Sequence, residues 1–187
     1  ANGPLTAAVH KHLALQPGGR ILEIGFGNGK LVPQLFEIAA DLSYAGIDIS
    51  ETMVAAAASF NPGLCEAGRA TFVLASVEDI PFPARSFEWA VTTNTIYFWP
   101  DPVRGLSEIR RILRPEGILV LAASTPESAA QLPYTRHGFR LYDEGRLRAL
   151  HEEAGFRRID LDRFRKAVTM PDGSFVDREH HIVIARA

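Results

Sequence analysis

Apolar residues along this chain fall into short β-rich runs that alternate with stretches of helical spacing. From Leu5 to Leu15, apolar side chains recur at Leu5, Ala8, Val9 and Leu13, which predicts a helix. Pro17-Gly18-Gly19 stops it. Residues 20–25 read as a buried strand, 25–29 as a tight loop, and 30–40 as a helix whose Pro33 is tolerated only in the first turn. A second strand covers 44–48. Ser50 caps a helix over 51–59, and Asn61-Pro62-Gly63 ends it. Strands follow at 70–75 and 87–93, a helix at 102–113, a strand at 118–123 and a helix at 143–154. The last two β-rich runs, 156–164 and 180–186, have no helix between them, only the turn signal Pro171-Asp172-Gly173. A parallel join would need a crossover, so they predict a hairpin. The sum is a mostly parallel seven-stranded sheet with helices on both faces and one antiparallel strand at or near an edge.

Length and charge narrow the classes. The 187 residues suit one domain, expected to span 1–187, and 47% hydrophobic content suffices for a core. A net charge of -2 gives no electrostatic case for a nucleic-acid partner. The basic residues look scattered. Their densest run, Arg157, Arg158, Arg163, Arg165 and Lys166, is interrupted by acids and reads as a solvated face. The single cysteine, Cys65, excludes an internal disulfide and favours a reducing compartment. No apolar run reaches the ~18 residues of a membrane span. Residues 1–4 lack signal-peptide architecture, so a cytoplasmic location is expected. The chain does not begin with Met, so residues are expected upstream.

The chemistry begins at Gly25-Phe26-Gly27-Asn28-Gly29, directly after the first strand. Alternating glycines turn the chain sharply and keep side chains away from a ligand lying on the backbone. The next helix aims its free N–H groups into the same crevice. Asp48 closes the second strand beside that loop, where a carboxylate can accept hydrogen bonds from ribose hydroxyls. Its other reading is part of the helix cap with Ser50. A dinucleotide fingerprint would place its third glycine at position 30, which is Lys30, so NAD is disfavoured.

Glu23-Ile24-Gly25-Phe26-Gly27-Asn28-Gly29, Gly46-Ile47-Asp48-Ile49-Ser50, the segment Val77 to Glu88 and the segment Leu106 to Gly117 together resemble the class I S-adenosylmethionine-dependent methyltransferases, in their methyltransferase type 11 branch. The likeness covers residues 5–124. It implies a Rossmann-like, three-layer α/β/α sandwich. It also implies S-adenosylmethionine as cofactor, S-adenosylhomocysteine as product, and in-line methyl transfer to a small-molecule acceptor that no motif specifies. By the same resemblance, Gly25, Gly27 and Gly29, with Asn28 in their loop, would wrap the methionine and ribose portions. Glu23 would sit beneath the loop and orient the amino-acid end. Asp48 would bind the ribose, Ile49 and Met53 would pack on the adenine, and Asn94 would lie near the methionine portion. Where the family often has an Asp for the adenine amino group, this chain has Ser76, followed by Val77. Ser76 can accept a hydrogen bond without charge, and Glu78 is the alternative acid.

The acceptor pocket is expected in two stretches, Thr93 to Trp99 and Gln131 to Tyr142. The second belongs to an insertion, 125–142, that reads as a lid. Tyr97-Phe98-Trp99 reads mainly as packing. His137 and Tyr134 are the candidates for proton transfer, should the acceptor need it. The 1–16 segment is expected to be an N-terminal cap helix, with His10 and His12 at its surface or partly buried. His151 reads as a helix-surface residue. His180 and His181 are neighbours in a strand, point to opposite faces and cannot share a metal; no metal site is expected. The alternatives kept open are an NAD-dependent oxidoreductase and a non-catalytic cofactor-binding protein on the same fold.

Overall fold

The computed structural model describes residues 3–130, 138–169 and 175–187. Helix α1 (Gly3–Leu13) precedes β1 (Arg20–Ile24), α2 (Pro33–Ile38), β2 (Ser43–Asp48), α3 (Glu51–Phe60), α4 (Pro62–Glu66) and β3 (Ala70–Leu74). Then come β4 (Phe87–Thr93), a 3-10 turn (Ile96–Phe98), α5 (Pro102–Ile112), β5 (Leu113–Ser124), α6 (Pro126–Ala130), α7 (Glu144–Glu153), β6 (Arg158–Thr169) and β7 (Phe175–Arg186). The strands form one sheet in the order β3-β2-β1-β4-β5-β7-β6. Only β7 runs antiparallel, paired with β5 on one side and β6 on the other. The predicted hairpin therefore inserts its return strand next to the edge. The turn signal Pro171-Asp172-Gly173 lies outside the described residues.

Alternation along the strands divides the core in two. Leu22, Ile24, Ala45 and Ile47 face the layer of α5 and α7, where Leu106, Ile109, Leu147 and Leu150 close over them. Ile21, Tyr44, Trp89 and Val91 face the other layer, with Leu5, Val9 and Leu13 of α1 and Leu35 of α2. Burial of a large apolar side chain contributes about 1.5–3 kcal/mol, so α1 belongs to the core of its layer. His10 is also buried, against the expectation of an exposed or partly buried residue, because its face of α1 turns inward with Leu5 and Val9. His12 keeps partial exposure and pairs with Asp162 at 3.1 Å.

His151 is 0% exposed, not a surface residue. It shares the inward face of α7 with Leu147 and donates from Nδ1 to the Leu147 carbonyl at 2.7 Å. The helix predicted over 30–40 shortens to α2, since residues 25–32 are spent on the glycine turn. The short α4 and α6 were not anticipated; each opens on a proline, at 62 and 126. Strand β5 begins five residues earlier than predicted, at Leu113, with an irregularity opposite Phe87 and Trp89. Ser50 and Asp101 cap their helices, accepting from the N–H of Met53 and of Arg104.

Candidate functional site

The strand order reverses direction at β1, which has β2 on one side and β4 on the other. In open α/β sheets the crevice outside the carboxyl ends of such strands binds ligands. Here it holds a cleft of about 230 Å³, reached by Gly25 and Gly27 after β1, Asp48 and Ile49 after β2, Ser76 and Val77 after β3, and Asn94 and Thr95 after β4.

Gly25 turns the chain with φ of +73°, and a Cβ there would meet Thr95 Cγ2 at 2.4 Å. Thr95 is fixed in turn by a hydroxyl contact to Thr92, whose Oγ1 donates to the Ile24 carbonyl at 2.9 Å. The loop and the end of β4 thus touch across the cleft. Gly29 does something else. Its missing Cβ leaves room for Ala57 of α3, 2.7 Å from where a Cβ would lie, and Asn61 Nδ2 donates to its carbonyl at 3.0 Å. It seats the loop on α3 and does not line the cleft.

Asp48 combines both roles weighed for it. One carboxylate oxygen accepts from the Ser50 N–H at 2.9 Å; the other takes no hydrogen bond among the described residues, and Asp48 lines the cleft. Ile49 is 75% exposed and Phe98 52% exposed, and both line the cleft. Large apolar side chains left bare on opposite sides of one crevice suit a flat ring. Ser76 lines it too, its Oγ accepting from the Glu78 N–H at 3.2 Å. Glu78 is turned away, accepting from the Asp101 N–H at 2.6 Å. Asn94 sits at φ +59°, a left-handed conformation that asparagine tolerates best among residues with a side chain. Its Oδ1 accepts from Tyr97 Oη at 2.9 Å, which leaves its amide N–H groups for the cleft.

Glu23, Asn28 and Met53 lie outside the cleft lining. The Glu23 carboxylate, on β1, accepts from Tyr44 Oη at 2.7 Å. Burial pushes its carboxyl up to about 7, although the Tyr44 bond acts in the opposite direction. Burial and the neighbouring Glu23 charge raise the Tyr44 phenol well above its ordinary value.

The aromatic triplet splits by role. Tyr97 is buried and lies outside the lining, whereas Trp99, also buried, packs over Gly105 of α5 and reaches the cleft as well. Phe98 faces the cleft and meets Phe139 edge-on, with 4.7 Å between ring centroids. Arg140 holds that segment down through the carbonyls of Trp99 and Pro100. Thus the described end of the 125–142 insertion packs against the 97–100 segment and does not itself line the cleft. Tyr134 and His137 lie outside the described residues. Among the described lining residues, Asp48 is the one ionisable side chain. His180 and His181 are both buried, on opposite faces of β7, and no metal-binding cluster occurs among the described residues. The apolar wall from Ile24, Ile47 and Ala75 was missed in the sequence; as strand-end residues they carry no signal beyond core periodicity.

A family model for a methyltransferase domain matches residues 22–121, just over half of the chain. The uncharacterised methyltransferase YdaC of Bacillus subtilis (strain 168) is 29% identical over 149 residues, which span 80% of this chain and 77% of YdaC. Among solved structures, the methyltransferase in complex with the Haloferax volcanii Trm112 methyltransferase activator superposes with a TM-score of 0.82 at 18% identity, over 97% of this chain and 88% of that one. Haemonchus contortus phosphoethanolamine N-methyltransferase 2, in complex with S-adenosyl-L-methionine, superposes with a TM-score of 0.76 at 17% identity, over 98% of this chain and 52% of that one.

Proposed function

Because this chain belongs to the class I S-adenosylmethionine-dependent methyltransferases, we propose that the cleft at the carboxyl edge binds S-adenosylmethionine and that the acceptor is a small molecule. The supporting observation is the convergence of Gly25, Gly27, Asp48, Ser76, Val77 and Asn94 on one crevice. The residues fit the cofactor in kind. The φ of Gly27 is +58°, and a Cβ there would meet nothing within 4 Å, so glycine keeps the floor open to a close-lying chain. The free oxygen of Asp48 accepts from ribose hydroxyls, Ile49 covers the adenine, and the Asn94 amide donates towards the amino-acid portion.

When bound, the cofactor supplies a methyl group on a sulfonium, already activated for in-line displacement. The protein's own contribution is alignment and exclusion of water, and positioning alone is worth about 7–11 kcal/mol in well-oriented systems. Thr95 and Phe98, at the end of β4, stand where an acceptor enters, and Phe139 backs Phe98. Should the acceptor have to lose a proton, Tyr134 and His137 of the insertion are the candidates to take it. The crevice is narrow and its wall aromatic, which suits a small, partly apolar acceptor. The solved N-methyltransferase neighbour is named for a small-molecule substrate, phosphoethanolamine.

The test follows a labelled methyl group from S-adenosylmethionine into small molecules, protein and RNA of a cell extract. Label in the small-molecule fraction supports the reading. Label confined to protein or RNA contradicts it.

A further inference from the structure

The sequence scatters its basic residues, but folding collects them. A second cleft, of about 660 Å³, opens at the opposite, amino edge of the sheet and is lined by seven arginines. They come from four separated segments: Arg85 before β4, Arg110, Arg111 and Arg114 at the junction of α5 and β5, Arg157 and Arg158 at the start of β6, and Arg186 at the end of β7. Three carboxylates engage this group. Arg111 pairs with Glu108, Arg114 with Glu88, and Arg158 with Glu116 at 3.6 Å. Seven guanidinium groups against three side-chain carboxylates leave an excess of four positive side-chain charges in a chain whose net side-chain charge is -2.

The side chains of Arg85, Arg110 and Arg157 are exposed and take no hydrogen bond or ion pair from another side chain or carbonyl among the described residues. Arg110 and Arg111 lie in the last turn of α5, where the helix dipole favours cations. That accounts for two positions but not for Arg85, Arg157 or Arg186, which approach from other elements. Like charges so gathered repel one another, and the arrangement is relieved by an anion that bridges them. Guanidinium groups match phosphate oxygens in bidentate geometry. The lining contains no aromatic side chain on which a base could stack. The volume lies within the ~300–1,000 Å³ usual for small ligands, and the charges ring a hollow instead of tracking a long groove.

We propose that this arginine cleft is a binding site for a compact oligophosphate: a ligand with two or more linked phosphoryl groups, recognised through those groups alone. It lies at the end of the sheet remote from the cofactor cleft, so its occupant is separate from cofactor and acceptor. Inorganic tripolyphosphate and the triphosphate of a nucleotide present the same chemistry.

The experiment is a titration of the full chain with tripolyphosphate, with adenosine triphosphate and with a short single-stranded RNA, in low and in moderate salt. The expected result is saturable binding of tripolyphosphate that weakens steeply with salt, since exposed charges are screened within about 10 Å at 0.1 M. Adenosine triphosphate should match tripolyphosphate, while adenosine fails to compete. Arg110→Ala combined with Arg157→Ala should weaken binding at least about tenfold, a loss equivalent to ~1.4 kcal/mol. Arg85→Ala, alone on its loop, should weaken it by a smaller factor. Arg146→Ala, away from the cleft, should leave it unchanged. S-adenosylmethionine binding and thermal unfolding serve as controls that the variants remain folded. Absence of saturable binding, indifference to the arginine substitutions, or tighter binding of RNA than of tripolyphosphate would each overturn the proposal.

Discussion

The two edges of the sheet are built in opposite ways. At the carboxyl edge, ligand-facing groups come from tight turns: glycines, one half-occupied carboxylate and a few bare apolar side chains. At the amino edge they come from the ends of elements far apart in sequence, and every one is an arginine. The first edge sets backbone geometry within a few residues; the second sets only electrostatic potential, which depends on where long side chains end up. Shape is specified locally and charge globally.

That difference explains what could be read before folding. The loop at 25–29, the acid at 48 and the strand pattern around them each rest on spacing within one segment, so sheet, cleft and family were legible. Gly29 carried the same signal as Gly25 and Gly27, yet its role is packing on α3, which depends on Ala57 lying 28 residues on. Met53 and Glu78 likewise stand in the right segments but outside the cleft lining. His151 was misread because α7 carries mixed residues on its faces, and only the position of the partner layer decides which face is inward. The arginine cleft was illegible because Arg85, Arg110, Arg157 and Arg186 are each ordinary in their own segment.

The sharpest way to break the contrast is to spoil the turn. Gly25→Ala would hold alanine at φ +73° and drive its methyl into Thr95. The strain is of order 1–3 kcal/mol, and affinity for S-adenosylmethionine should fall by more than about tenfold. Calorimetry and thermal unfolding read both. Unchanged binding would mean that the contact between loop and β4 is not part of the site.

Titration probes the buried interior. Burial lowers His10, His151 and His180 to about 4, from an ordinary 6.5. Their contribution to stability is complete above pH 6.5 and is lost as pH falls towards 4. Glu23 works the other way: with its carboxyl raised to about 7 from 4.5, its contribution is complete below pH 4.5 and is lost as pH rises through 7. Three groups outweigh one, so stability should drop on acidification below pH 6.5. Denaturant unfolding across pH should show that drop reduced in His151→Leu. Glu23→Gln should gain on the parent between pH 4.5 and pH 8. A parent whose stability is flat from pH 6.5 to 4 would refute the assignment.

Smaller effects follow at the rims. Phe98→Ala removes a half-exposed ring, so stability should change by no more than about 0.5 kcal/mol. Turnover of an identified acceptor should show a KM raised several-fold. A larger loss of stability with unchanged KM would make Phe98 a packing residue only. Smallest of all, Arg110→Ala with Arg157→Ala should leave S-adenosylmethionine affinity where it was, because the two clefts lie at opposite ends of the strands. A large loss would show the edges to be coupled.

The central claim is that the carboxyl-edge cleft holds S-adenosylmethionine through Asp48. The most direct measurement is a calorimetric titration of the parent chain and of Asp48→Ala with S-adenosylmethionine, S-adenosylhomocysteine and NAD. The account predicts saturable binding of the first two, none of NAD, and a loss of about 1.5–3 kcal/mol in the variant, the range for a hydrogen bond to a charged group. Preference for NAD, or equal affinity in the parent and in Asp48→Ala, would contradict it.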